Sequence, residues 1–302
     1  MTAAFAETHR NIEFSNNVTA TLRETPGMLY PLAGSTANYN GNAKARIENR
    51  FGRLAMQAKT TRNGDTENAD IDSVARWIAP GPLHYVAPML DREDQQNTKV
   101  ELNSPLVKEV AEAAATYHDD VFMAAFFGNA YSGELGDTAI PFKSANIIAH
   151  GGTGLTKNKL LALRELMAAR HVRMMREAPI ILLQPQDATD LFQIDEYVNS
   201  RYGDGRPLDT GELKPWLGFR FKEITPDAES LPTSYSSFFA DAGVTRQNPV
   251  FVRSGMHRGV WVEFWSSIDD RADKQHSTQF YGEARSAGAR TDEDKAFILQ
   301  TQ

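Results

Sequence analysis

The chain has 302 residues and a mass of 33.6 kDa, of which 41% are hydrophobic and 24% charged. That length suits two average domains or one large one, which as a lone globule would bury about 74% of its unfolded surface. The absence of cysteine excludes a disulfide framework, thiolate metal sites and a cysteine nucleophile, and a net charge of -7 excludes bulk phosphate-driven nucleic-acid binding.

The N-terminus, MTAAFAETHRNIEF, has no basic start followed by an apolar core and does not read as a secretory signal. Residues 15–49 are rich in Asn, Thr, Gly and Ala with weak apolar periodicity, the composition of an extended arm with little core of its own. Residues 44–62 then carry Lys44, Arg46, Arg50, Arg53, Lys59 and Arg62 against Glu48 alone. The sign reverses at Asp65, Glu67, Asp70 and Asp72, beside the turn dipeptide Asn63-Gly64. Two readings stand side by side here: a solvated hairpin, and a protruding loop that docks on a neighbour by charge complementarity.

Ser104-Pro105 combines a hydroxyl N-cap with proline at the first helical position. Leu106, Val110, Ala114, Tyr117, Val121 and Ala125 follow at spacings of three and four, and Gly128 stops the pattern. The sequence therefore predicts a helix over 105–127, about 35 Å long at 1.5 Å per residue, a spine for a whole domain. The longest strongly apolar run, Val121 to Phe127, lies inside it and is far too short to span a membrane. A glycine turn at 150–154 leads to a second helix capped by Thr156, with Leu160, Leu163, Met167 and His171 on one face. Pro179 ends that region, Ile180 to Leu183 reads as a buried strand, and Asp187 reads as the cap of a short helix reaching Phe192. Strands dominate from there: Phe219 and Phe221 alternate with Arg220 and Lys222, and Val260, Val262 and Phe264 with Trp261, Glu263 and Trp265. Ser277 to Arg285 alternates again, turns near Thr291-Asp292 and returns as Ala296 to Leu299. The fold class is α+β, helix early and sheet late.

Catalytic chemistry has little footing. The loop Gly151–Lys157 lacks the spacing that puts backbone amides and a lysine on one phosphate, and G-x-G-x-x-G after a strand and G-x-S-x-G are absent. Seven histidines are scattered without the H-E-x-x-H spacing of a zinc site. His118-Asp119-Asp120 is the nearest thing to an acid–base or metal cluster, yet adjacent helical residues point apart and cannot converge unaided. Asp269-Asp270 and Asp292-Glu293-Asp294 read as solvated turns, and no carboxylate pair is set up for glycosidic work. No catalytic residue, cofactor or metal is expected; the competing enzyme reading is a hydrolase with a site of scattered His and Asp.

Taken in order, several segments resemble the major capsid protein of tailed bacteriophages, of the Hong Kong 97-type fold. They are RFGRLAMQAKTTRNGDTENADIDSVARWIAPGPLHYVAPMLDREDQQ followed by NSPLVKEVAEAAATYHDDVFMAAFFGNAYSGE, then TGELKPWLGFRFKEI, GVWVEFWSSIDDRADKQHSTQ and the closing TQFYGEARSAGARTDEDKAFILQ. The resemblance covers nearly all the chain and lies in the collinearity of the segments. It implies an N-terminal arm over 1–48 that crosses onto an adjacent subunit, and an extended E-loop hairpin over 49–99 that reaches over a neighbour. Arg50, Arg53, Lys59, Arg62, Asp65, Glu67, Asp70 and Asp72 would then be inter-subunit residues. It further implies a peripheral domain over 100–171 with its spine helix, an axial domain over 172–262, and peripheral C-terminal strands over 263–302.

As function, the resemblance implies a structural subunit that self-assembles into hexamers and pentamers of an icosahedral virion head, built in the host cytoplasm around double-stranded DNA held by weak, non-specific contact. The implied partners are the chain itself, a portal, a cementing protein and a separate scaffolding protein, since about a hundred residues precede the spine and arm and loop use them; no membrane is expected. A shell of the same fold enclosing enzymes, as in encapsulin-like nanocompartments, is the nearest alternative. The lysine–asparagine isopeptide bond of some relatives is not carried over, because residues 266–302 contain no asparagine.

Overall fold

The computed structural model describes residues 27–41, 43–51, 56, 58, 62, 73–90, 103–198, 211–224, 240–241 and 245–302. A single 3-10 turn, Tyr30–Leu32, precedes strands β1 (Ser35–Asn38), β2 (Ala45–Phe51), β3 (Ser73–Ile78), β4 (His84–Val86) and β5 (Met89–Leu90). Helix α1 (Asn103–Phe127) follows, then β6 (Ala130–Ser132), β7 (Thr138–Ile140) and β8 (Ile147–Ile148). Next come α2 (Lys157–Ala169), β9 (Ile180–Leu183), α3 (Pro185–Phe192) and α4 (Asp195–Val198). The rest is strand: β10 (Arg220–Glu223), β11 (Ala240–Asp241), β12 (Thr245–Phe251), β13 (Met256–Arg271), β14 (Ser277–Arg290) and β15 (Ala296–Thr301).

The described strands form three sheets. The first runs β1-β13-β14-β4, with β5 also on β14; the second runs β2-β3-β6-β7; the third runs β10-β9-β12-β15-β8, with β11 on β12. The third sheet is covered on both faces, and this explains its unbroken apolar strands. Ile180, Leu182, Phe251, Ala296 and Ile298 point to one side, against Phe122, Met123 and Phe126 of α1. Ile181, Leu183, Val250, Phe297 and Leu299 point to the other, against Leu160, Leu163 and Met167 of α2. Each fully buried side chain of this kind contributes about 1.5–3 kcal/mol.

Helix α1 therefore serves two sheets. Its first half lays Val110, Ala114 and Tyr117 on β14, and its second half fills the space in front of the third sheet. The approach to β14 is close: a Cβ at Gly288 would lie 2.6 Å from the Ala125 Cβ, so only glycine fits there. The helix begins at Asn103, so Ser104 lies within it and not at its cap, while Gly128 donates to the Ala124 carbonyl and ends it as expected. Thr156 caps α2 by accepting from the Lys159 amide at 3.4 Å.

Several expectations change. His171 does not share the buried face of α2; its φ of 62° is the left-handed position after the helix end, and its side chain is exposed. Asp187 is not a cap but lies in the first turn of α3, fully buried, because Arg246 and Asn248 reach it from β12. The hairpin begins at Ala45, four residues before the expected boundary at 49, since β2 pairs with β3 from Ala45↔Ile78 to Phe51↔Ser73. Residues 84–90, placed in that loop by the sequence, pair instead with β14. The strands over 263–302 do not all share one sheet: β14 pairs with β13, whereas β15 leaves it to sit between β12 and β8. Its Phe297 and Leu299 find the α2 core there, which a place beside β14 would leave empty.

Candidate assembly elements

Two segments lie at the margins of the layered core, and their anchors are built from side chains that sequence reasoning treated as ordinary. The first is the arm. Far from lacking contacts on its own chain, its described part is held there: Leu29 is fully buried against α1, and β1 adds in parallel to β13. The holding group is Asp119. One carboxylate oxygen accepts the Met28 amide at 2.7 Å and the other accepts those of Leu29 and Tyr30, both at 2.9 Å. Burial pushes the Asp119 carboxyl up, against the pull of these three donors. Lys222 donates to the Met28 carbonyl, and the Arg258 guanidinium stacks 4.2 Å from the Tyr30 ring centre.

Two histidines complete this clamp. His118 Nε2 lies 3.0 Å from the Glu263 carbonyl, which can only accept, so in the neutral ring Nε2 carries the proton and Nδ1 accepts from Ser286 Oγ at 2.9 Å. His257 joins Ser35 Oγ at 2.7 Å to Tyr39 OH at 3.0 Å, stitching β1 and the residue after it to β13. Burial pulls both imidazoles down to about 4, and for His118 the Arg258 charge adds to it. His118 and Asp119 thus serve different partners, as the helical geometry required, and neither is set up for acid–base work. The described residues hold no group of three His, Asp or Glu side chains that could bind a metal ion.

The second segment is the hairpin β2–β3, which continues onto β6 and β7. Lys44 pairs with Asp137 at 2.7 Å and Trp77 donates to the Gly133 carbonyl at 2.8 Å. Arg76 runs inward, donating to the Thr291 carbonyl at 3.0 Å with its guanidinium 3.9 Å from Glu293. Glu293 in turn accepts from Arg290 at 3.0 Å. Arg290 is fully buried and donates to the carbonyls of Ala125, Phe126 and Gly128, where α1 ends, and to that of Ile140 at 3.4 Å. A cation at a helix C-terminus satisfies orphan carbonyls and the helix dipole together. The base of the hairpin, the end of α1 and the turn between β14 and β15 are therefore tied at one buried charged junction.

Of the eight sequence-predicted interface residues, Arg50 lies in β2 opposite Val74, and Arg62 sits exposed at a turn. Arg53, Lys59, Asp65, Glu67, Asp70 and Asp72 lie outside the described residues. The loop Gly151–Lys157 is filled from within: Asp190 accepts the Leu155 amide at 3.0 Å, and Lys159 donates to the carbonyls of Thr153, Gly154 and Gln300. It presents no open cradle. Sequence reasoning noticed Asp119 beside His118 but not its role as an anchor, and missed His257, Arg76 and Arg290; nothing in the pattern marks Arg290.

A family model described as phage capsid protein matches residues 6–301. No curated protein matches the chain. Among solved structures, the capsid of cyanophage P-SCSP1u is similar with a TM-score of 0.66 and 14% identity, over 92% of this chain and 89% of that one. The mature capsid of bacteriophage PhiM1 gives 0.67 and 13%, over 92% and 88%. The head of Helicobacter pylori bacteriophage KHP40 gives 0.63 and 10%, over 88% of each chain. At such identities these likenesses establish the fold.

Proposed function

Because this chain belongs to the phage capsid protein family, a structural family of the virion, we propose that it is the major subunit of an icosahedral head, closing hexamers and pentamers of itself around double-stranded DNA. The family match over 6–301 carries this reading. The geometry supports it: arm and hairpin sit at the margins of the layered core and are tied to it by buried hydrogen bonds, so each reaches its place from a fixed base. Shell subunits need several modest interfaces that close by symmetry, and projections with defined roots supply them. In this reading residues 172–262 and their neighbours in the third sheet surround the symmetry axes, and the charged hairpin residues Arg50 to Asp72 lie on an adjacent subunit. A scaffolding protein, a portal and a cementing protein are its partners, and assembly takes place in the host cytoplasm.

The test is electron microscopy and sedimentation of the purified protein under assembly conditions. Closed particles containing DNA, or empty ones of uniform icosahedral size, support the proposal. A monomer or dimer that never forms capsomers overturns it, and particles filled with cargo enzyme transfer it to a nanocompartment.

A further inference from the structure

Between the end of α2 and the turn after β12 lie two adjoining clefts of about 470 and 530 Å³ that share Arg176, Glu177 and Ser254. Cations outnumber carboxylates in them six to three, on a chain whose net charge is -7. The carboxylates are already committed. Glu177 accepts the Ser254 amide at 2.7 Å, Asp292 accepts the Asp294 amide at 3.0 Å, and Asp294 faces Lys143 at 2.7 Å and Arg170 at 3.9 Å. Arg173, Arg176 and Arg220 are exposed and meet no carboxylate among the described residues, while Arg253 spends one nitrogen on the Pro31 carbonyl at 3.0 Å. Guanidinium forks left open in a concave site suit planar, bidentate anions.

The size of the clefts selects the anion. A cube of either volume has an edge of about 8 Å, which admits the side chains of an extended peptide but not a whole DNA duplex, whose major groove alone is about 12 Å wide. Carboxylates on an extended peptide fit. The chain itself contains such a peptide: residues 63–72 carry Asp65, Glu67, Asp70 and Asp72 with no cation. In an extended conformation a spacing of two would put the carboxylates of each pair on one face.

We propose that the Arg173–Arg176–Arg220–Arg253 cleft receives the acidic segment 65–72 of a second copy of this chain. The inference rests on the reading of the protein as a self-assembling subunit and names one receptor for its hairpin. Contact between potentials of opposite sign steers encounter and fixes register, which a shell made of one repeated interface requires.

The test uses the purified unassembled subunit and a fluorescent synthetic peptide of residues 63–74, followed by anisotropy. Binding is expected to weaken at least tenfold with Arg176→Glu/Arg220→Glu, with a peptide whose four acids are replaced by Asn or Gln, and with rising salt. In full-length protein, Arg176→Glu/Arg220→Glu is expected to stop particle formation, and adding Asp70→Lys/Asp72→Lys to restore it. Arg176→Gln/Arg220→Gln, checked for folding by circular dichroism, replaces the reversal if that variant misfolds. Peptide binding unchanged by the arginine substitutions overturns the inference, as does unimpaired assembly of the variants; wild-type particles then leave the capsid reading standing. A 20-bp DNA duplex that binds these arginines where the peptide does not overturns it in favour of nucleic acid.

Discussion

Replacing Arg290 by methionine removes the cation at the junction while keeping most of its apolar volume. The wild-type guanidinium donates to Glu293 at 3.0 Å, to three carbonyls at the end of α1 and to Ile140, and lies 5.2 Å from the Phe142 ring centre. Its removal leaves the Glu293 carboxylate, only 12% exposed, with Arg76 at 3.9 Å, a single-partner deletion that costs about 3–5 kcal/mol in other buried pairs. The last-turn carbonyls lose their donor as well, at about 1–3 kcal/mol for each that stays dry. These losses overlap, so a total of about 4 kcal/mol is expected. With a urea dependence near 3 kcal/mol per molar, the unfolding midpoint of the unassembled subunit, followed by tryptophan fluorescence, should fall by about 1.3 M. Adding Glu293→Gln removes the stranded charge and should recover roughly half of the loss. A loss below about 1 kcal/mol, or a double variant no more stable than Arg290→Met, would refute the argument that a paired buried charge holds this junction.

Four further outcomes follow from the same anchors. His118 and His257 sit at about 4 when folded against 6.5 when unfolded, so the stability they support is complete above pH 6.5 and is lost as pH falls toward 4. For His118 alone the loss is about 3 kcal/mol. Since Asp119 and Glu293, both raised by desolvation, titrate the opposite way, the measurement is the difference in pH slope between wild type and His118→Gln; equal slopes would count against it. Asp119→Ala should free Met28, Leu29 and Tyr30, costing about 1–3 kcal/mol and opening the arm to limited proteolysis near residue 28 while α1 stays protected. Gly288→Val should cost about 1–3 kcal/mol or more in thermal unfolding, because even a Cβ meets Ala125 at 2.6 Å. Reversing Arg53, Lys59 and Arg62 to Glu should impair particle assembly and leave the subunit's circular dichroism unchanged; normal particles would remove those residues from the interface.

What the residues disclosed on their own was local. Periodicity with Pro105 and Gly128 marks the long helix, Thr156 marks the start of α2, and the unbroken run Ile180 to Leu183 marks a strand with two covered faces. Pairing was harder to read, since alternation declares a strand without naming its partner. β14 and β15 look like a hairpin across Thr291-Asp292, yet the chain crosses between sheets there because Arg290 and Thr291 are buried at the junction. The arm misled through its composition: few of its residues are apolar, and what holds it is a carboxylate 89 positions or more away and an imidazole over two hundred away. Such long-range hydrogen bonds leave no periodic trace. The charged hairpin shows the converse, since its sign reversal is plain in the sequence while its meaning depends on what it touches.

The position of β15 bears on how the subunit is made. Residues 296–301 lie between β12 and β8, so β12, which pairs with β9 on its other side, and β8 have no neighbour at that place until those residues leave the ribosome. Until then β12 keeps an open edge and the α2 core lacks Phe297 and Leu299. A nascent chain therefore cannot complete its third sheet before synthesis has passed residue 301. On a polysome, where growing copies are crowded together, the third sheet of each such chain carries an unpaired strand edge until β15 arrives to cover it.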